Sequence, residues 1–150
     1  MKNLFGGVIA IVLLGLYVLL VERAIRIALC LADSACKTYK AGDFNDSMAQ
    51  AVAVIGGLVS ALVISELAIA QPGKPPVPGS LRAQTSPGAV KVVSVVSVTY
   101  VAVWIAAGLA AFIVSLYHPT VLQPLTSLGQ AWLGLAVAAA YAYFGLKAPG

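Results

Sequence analysis

The segment LFGGVIAIVLLGLYVLLV, residues 4–21, decides the fold class of this chain. Its 18 residues carry no charge. As an α-helix they span about 27 Å, close to the thickness of the hydrocarbon core of a bilayer. Glu22-Arg23 follows directly, where a signal peptide would have a cleavage site between small residues. We therefore interpret the segment as a retained transmembrane helix.

The composition of the whole chain agrees with a membrane protein. Hydrophobic residues make up 61% of its 150 residues and charged residues only 9%, whereas soluble domains average roughly 45–50% and 25%. A soluble fold of this length could not bury so much apolar surface. The net charge of +4 comes from basic residues that stand one or two at a time between apolar segments. That pattern is typical of membrane topology and not of nucleic-acid binding.

Three further apolar segments predict transmembrane helices, over about residues 51–70, 92–117 and 125–146. The last two are separated by a short connection with two prolines, which predicts an antiparallel C-terminal hairpin. The segment 90–103 lacks the regular apolar–polar alternation of membrane β-strands. The sequence therefore predicts an all-α, polytopic integral membrane protein with about four transmembrane helices in a single membrane domain, residues 1–150.

The predicted connections differ in character. Glu22–Arg26 and Asp33–Lys37 are pairs spaced four residues apart with the acid first. This spacing predicts a helical extension of the first span to about residue 36. Residues 45–47, Asn-Asp-Ser, supply N-cap candidates for the second helix. Five prolines and three glycines between residues 71 and 91 predict a loop without regular helix.

Basic residues decide the predicted orientation. One side of the membrane receives five of them: Lys2, Lys74, Arg82, Lys91 and Lys147. The other side receives four: Arg23, Arg26, Lys37 and Lys40. The loop between the second and third spans has no acid and carries Lys74, Arg82 and Lys91, and Lys147 follows the fourth span on the same side. Lipid-headgroup contacts are therefore predicted for these four residues. We predict both termini in the cytoplasm, in a bacterial or archaeal cytoplasmic membrane or in a membrane protein encoded by a phage or virus.

Two cysteines lie in the first connection, which this orientation places in an oxidising compartment. In a continuous helix, Cys30 and Cys36 would be separated by a rise of about 9 Å, beyond the reach of a disulfide. A bridge therefore requires the helix to end near Asp33-Ser34. A Cys30–Cys36 disulfide and two free thiols both stay open as interpretations.

The sequence offers little reactive chemistry. The single histidine, His118, and the two cysteines lack the spacing of a zinc site. No serine has a histidine or lysine base at local spacing, and no phosphate-binding loop is present. We therefore expect no enzyme activity, no metal and no cofactor. Glu66, inside the second span, is the candidate ion site, although it could instead reach the interface or pair with a base of the next loop.

Small residues recur in the second, third and fourth spans. At spacings of four residues they allow helix backbones to approach closely. The candidate packing residues are Gly56, Gly57, Ser60, Gly108, Gly134, Ala138 and Ala142. They could pack the helices of one chain together or dock the chain to others.

Three functional hypotheses follow. The first is a non-catalytic structural or accessory subunit of a larger membrane assembly. Its partners would be the lipid bilayer and other membrane chains, identical or different, and not nucleic acid. The second is a self-assembling pore similar in type to the phage holins, which share small size, several spans and basic ends, although no holin motif is present. The third is a small transporter or channel that uses Glu66, although no inverted repeat supports it.

Overall fold

Four long α-helices make up the fold. The computed structural model describes the backbone of residues 2–69 and 87–145, and the side chains of residues 7–65, 67 and 95–145. Over this part of the chain the helices are α1 (Lys2–Ala32), α2 (Asp46–Ile69), α3 (Pro87–Tyr117) and α4 (Gln123–Phe144), and there is no β-strand. All four are long and apolar enough to cross a membrane. The prediction of an all-helical fold with four such helices is confirmed.

The first helix, α1, ends at Ala32, before the predicted end near residue 36. The Asp33 side chain accepts a hydrogen bond from the Ala35 N–H at 2.9 Å, and the Cys36 N–H donates to the Asp33 carbonyl at 3.0 Å. An aspartate that bonds to nearby backbone in this way competes with helical hydrogen bonds and favours a turn. Asp33 and Lys37 therefore do not share a helix, contrary to the prediction from their spacing.

The first connection, between α1 and α2, is ordered by local bonds. Cys30 in the last turn of α1 forms a disulfide with Cys36, with a Cα–Cα distance of 5.2 Å. Further along, a short 3-10 helix covers Ala41–Asp43. Asn45 then caps α2, because its Oδ1 accepts the Met48 N–H at 2.9 Å. The connection is thereby tied to both helices that it joins.

The third helix, α3, begins at Pro87, inside the segment 71–91 that is predicted as a loop. Proline is favoured at the first position of a helix, because its missing N–H would have no partner there. Counting this proline as a helix breaker therefore placed the start of the helix too late. The rest of the predicted loop, residues 71–86, lies outside the described residues.

Only residues 118–122 connect α3 to α4. The hydroxyl of Thr126, in the first turn of α4, donates to the Pro119 carbonyl at 2.9 Å and ties α4 to this turn. The two helices run antiparallel, since Gly108 lies against Trp132 and residue 112 lies against residue 129. At the far end, Gly145 adopts a left-handed conformation with φ 65° and terminates α4.

The four helices form a ring in the order α1, α2, α4, α3. Each of α1 and α4 packs mainly against α2 and α3, so α1 faces α4 across the centre and α2 faces α3. Side chains at most 2% exposed fill the interior, among them Tyr17, Val59, Val63 and Trp104. Aliphatic side chains that are more than half exposed cover the outside of α1 and α3, among them Val8, Leu19, Val98 and Leu116. An outer surface of this kind suits lipid and not water.

The side chains that meet between α1 and α2 show which residues of the two helices lie at the same level along the bundle. A shallow groove between the two helices is lined by Ile9, Ala10, Leu13, Leu58, Ala61 and Leu62. Counting from these positions at about 1.5 Å per residue places Arg23 level with the first turn of α2. The ion pair between Glu22 and Arg26 lies beside it on α1 and is exposed. These charges therefore stand at the level where the apolar part of α2 begins.

Candidate functional site

Two tryptophans meet at the centre of the bundle. The ring centroids of Trp104 in α3 and Trp132 in α4 are 5.7 Å apart, and the side chains are 2% and 7% exposed. The Trp104 Nε1–H donates to the Ser60 Oγ at 3.0 Å, which links α3 to α2 across the ring of helices. The centre of the bundle is therefore filled by aromatic side chains, and the hydrogen bond between Trp104 and Ser60 crosses it.

Glycines on α3 and α4 make this packing possible. A Cβ on Gly108 would lie 1.9 Å from the Trp132 Nε1, so the indole occupies the space above this glycine. A Cβ on Gly129 would lie 2.9 Å from the Phe112 Cα, so the two backbones are close there as well. The Trp132 Nε1 is buried and has no hydrogen-bond partner among the described residues. Packing, and not a hydrogen bond within this part of the chain, therefore holds the indole.

A lateral groove of about 490 Å³ opens between α2 and α4. Tyr17 from α1 and Trp132 line it together with side chains of α2 and α4. Most of the other lining residues are small: Ala49, Ala53, Gly56, Gly57, Ser60, Ser127 and Ala131. From Ala49 to Ser60, α2 rises about 16 Å, which is half the thickness of the hydrocarbon core. The groove therefore extends over about half that thickness, starting at the end of α2 that joins the first connection.

The predicted packing residues divide into two groups. Gly56, Ser60 and Gly108 are buried in the bundle, and a Cβ on Gly56 would lie 3.2 Å from the Tyr17 ring. Gly57 and Gly134 are exposed, and a Cβ on either would meet nothing within 4 Å in the described structure. Ala138 is exposed and Ala142 is half-buried. The small residues therefore serve contacts inside the chain at some positions and leave open faces at others.

Several predicted site residues cannot be located as side chains. Glu66 belongs to α2 and Lys91 to α3, but both side chains lie outside the described residues. Lys74, Arg82 and Lys147 lie outside the described residues altogether. The ion site and the headgroup contacts therefore stay predictions.

The exposed surface of α4 is more mixed than that of α1. It includes Gln123, Ser127, Gln130, Ala131, Gly134 and Ala138 together with the larger Leu133 and Val137. The helix is also the least apolar of the four. Sequence reasoning noticed Gly134 and Ala138 but missed Gln130, although it precedes them by four and eight residues on the same face. It also missed Trp132 and Gly129, which no sequence periodicity distinguishes from their neighbours.

The described side chains bring no reactive set together. No group of three or more histidine, cysteine, aspartate or glutamate side chains in this part of the chain could hold a metal ion. Ser60 accepts the Trp104 hydrogen bond and so links α2 to α3, whereas Ser115 donates to the Phe112 carbonyl of its own helix at 2.7 Å. Comparison of the chain with known protein families, curated proteins and solved structures finds no match. Its shape and surface chemistry are what bear on function.

Proposed function

We propose that this chain is a polytopic integral membrane protein without catalytic activity, a structural or accessory subunit that packs against other chains in a membrane assembly. The observation that carries the proposal is the contrast between its outer faces. Large aliphatic side chains make up most of the exposed surface of α1, whereas α4 exposes glutamine and small side chains beside Leu133 and Val137. Lipid tails suit the first kind of face, and helices dock on the second kind.

The proposed placement spans the bilayer with all four helices and puts both termini in the cytoplasm. The Cys30–Cys36 disulfide supports this orientation, because such bonds persist in oxidising compartments outside the cytoplasm. The first connection and the short one between α3 and α4 then lie outside. Arg23 and the Glu22–Arg26 pair stand at the outer interface, where charge is tolerated.

The filled centre of the bundle favours a packing role over transport through a single chain. Tyr17, Trp104 and Trp132 occupy the positions that a polar path would need. The groove between α2 and α4 reaches this aromatic layer, and its lining is mostly apolar. A pore of the holin type would instead need many copies around a shared channel, so membrane permeability is the property that separates the two roles.

The test is site-specific photo-crosslinking in intact membranes. A photoreactive amino acid replaces Ala138 on the outer face of α4 or, as the matched control, Val8 on the aliphatic face of α1. We expect position 138 to cross-link to protein chains that mass spectrometry identifies, and position 8 to cross-link to lipid. Cross-linking to lipid alone from both positions would contradict the proposal. Leakage of a small dye from vesicles that hold the purified chain would favour the pore.

A further inference from the structure

Two hydroxyl groups in the wall of the groove between α2 and α4 have no acceptor for their protons among the described residues. Tyr17 and Ser60 both line the groove, and their side chains are only 1% and 2% exposed. The Ser60 Oγ accepts a hydrogen bond from Trp104 but donates none in this part of the chain, and the Tyr17 hydroxyl makes none there. A buried hydroxyl that lacks a partner costs free energy, so such groups are rare in native structures.

The Tyr17 hydroxyl lies where α1, α2 and α4 meet. A Cβ built on Gly56 would lie 3.2 Å from the Tyr17 Cε2 and 3.6 Å from the Leu128 Cδ1. Cε2 is bonded to the ring carbon that carries the hydroxyl, so the polar end of the ring lies beside Gly56, which lines the groove. Ser60 follows Gly56 by about one turn on the same side of α2. The two hydroxyls therefore stand at neighbouring levels of the inner wall of the groove.

The depth of this wall restricts the chemistry of an occupant. Counted along α2, Gly56 lies about 10 Å and Ser60 about 16 Å from Ala49, so both levels are inside the hydrocarbon core in the proposed placement. Acyl chains offer no hydrogen-bond acceptor there, and the ester carbonyls of phospholipids stand at the edge of the core. No charged residue is among those that line the described groove, so an ionic group would be buried without a counter-charge. An occupant that satisfies the hydroxyls must be uncharged and lipid-soluble and must carry its own acceptor.

The size and walls of the groove suit a ring. Its volume of about 490 Å³ is typical of small-molecule sites. Trp132 of α4 provides an aromatic surface for stacking, and Ala53 and Gly57 keep the α2 wall low. We infer that the groove binds an uncharged, lipid-soluble molecule with a carbonyl-bearing ring, to which the Tyr17 and Ser60 hydroxyls donate hydrogen bonds. This ligand site goes beyond the packing role and uses only the membrane placement.

The test is binding of a decyl-benzoquinone to the full-length chain in phospholipid nanodiscs. Trp104 and Trp132 are the chain's two tryptophans, and a quinone in the groove should quench their emission in a saturable way, above the linear quenching by quinone dissolved in lipid. The carbonyl stretch of the bound quinone should shift to lower wavenumber, because its oxygen accepts hydrogen bonds. Tyr17→Phe keeps the ring and removes the hydroxyl, so it should weaken binding by about two- to tenfold and reduce the carbonyl shift.

Two control variants match the changes made in the groove. Tyr100 also has a buried hydroxyl without a partner among the described residues, but it is not part of the groove lining, so Tyr100→Phe should leave binding and the carbonyl shift unchanged. Gly57→Leu places a large side chain in the groove and should abolish saturable binding. Gly15→Leu, on the exposed side of α1, should not, although a Cβ on either glycine would meet nothing within 4 Å in the described structure. Helix content confirms that each variant is folded.

Three results would overturn the ligand site. The first is quenching that rises only in proportion to the quinone in the lipid. The second is saturable binding that neither Tyr17→Phe nor Gly57→Leu reduces. The third is competition by decylbenzene, which lacks the carbonyls, as strong as competition by the unlabelled quinone. Cross-linking of position 138 to lipid alone would contradict the packing role and leave this site intact, because Ala138 is not part of the groove lining.

Discussion

Replacing Gly108 by alanine gives the sharpest test of the aromatic centre. The added Cβ would lie 1.9 Å from Nε1, 2.1 Å from Cδ1 and 2.3 Å from Cε2 of Trp132. Non-bonded heavy atoms are comfortable at about 3.5 Å, so the indole or the α3 backbone must move by roughly 1.5 Å. The ring has little freedom to do so, because Trp104 and Phe112 lie 5.7 and 6.5 Å from it, measured between ring centroids.

The expected cost follows from overpacking. Extra methyl groups in well-packed cores reduce the free energy of unfolding by about 1–3 kcal/mol. Part of this cost is offset, because alanine is more favourable than glycine inside a helix by up to about 1 kcal/mol. Gly57→Ala is the matched control, because it has the same helix-propensity gain and a Cβ that meets nothing within 4 Å. The two variants should therefore differ in unfolding free energy by about 1–3 kcal/mol, with Gly108→Ala the less stable.

The assay is reversible unfolding in mixed micelles with an increasing fraction of denaturing detergent. Trp104 and Trp132 are the chain's two tryptophans, so their emission reports directly on the contact under test. A Trp132→Phe background supplies a second check, because the smaller ring should reduce the cost of Gly108→Ala and give a measurable coupling energy. Equal unfolding midpoints for Gly108→Ala and Gly57→Ala would refute the close contact between α3 and α4.

Three further variants probe other bonds of the fold. Ser60→Ala should lower the unfolding free energy by about 1 kcal/mol, because it leaves the buried Trp104 Nε1–H without its acceptor; a Trp104→Phe background should remove most of that loss. Cys30→Ser should cost about 2 kcal/mol for a loop of this length, and a reductant should destabilise the unmodified chain equally while leaving the variant unchanged. Asn45→Ala should cost about 1 kcal/mol and speed amide hydrogen exchange at Met48, and unchanged exchange there would exclude the cap.

Hydropathy and length were sufficient to predict the four helices, because a segment that must satisfy its backbone in lipid has few alternatives to a helix. Helix ends depend on local chemistry that the same pattern describes less well. The end of α1 at Ala32 follows from the Asp33 side chain, which bonds backbone and stops the helix. The start of α3 at Pro87 follows from a proline that fits the first helical position.

The packing residues show where sequence reasoning reaches its limit. Gly57 and Gly108 belong to similar runs of small residues, yet the first faces outward and the second lies under an indole. In a soluble bundle, polarity would separate the two faces of a helix. In a membrane bundle both faces are apolar, so the direction of each residue depends on the order of helices in the ring. That order is set by tertiary contacts and leaves little trace in a single sequence.

The hydrogen bond between Trp104 and Ser60 links α3 to α2 within one chain. The loss of unfolding free energy in Ser60→Ala should therefore be the same at every protein concentration, whereas a loss that changed on dilution would mean that the bond forms between chains.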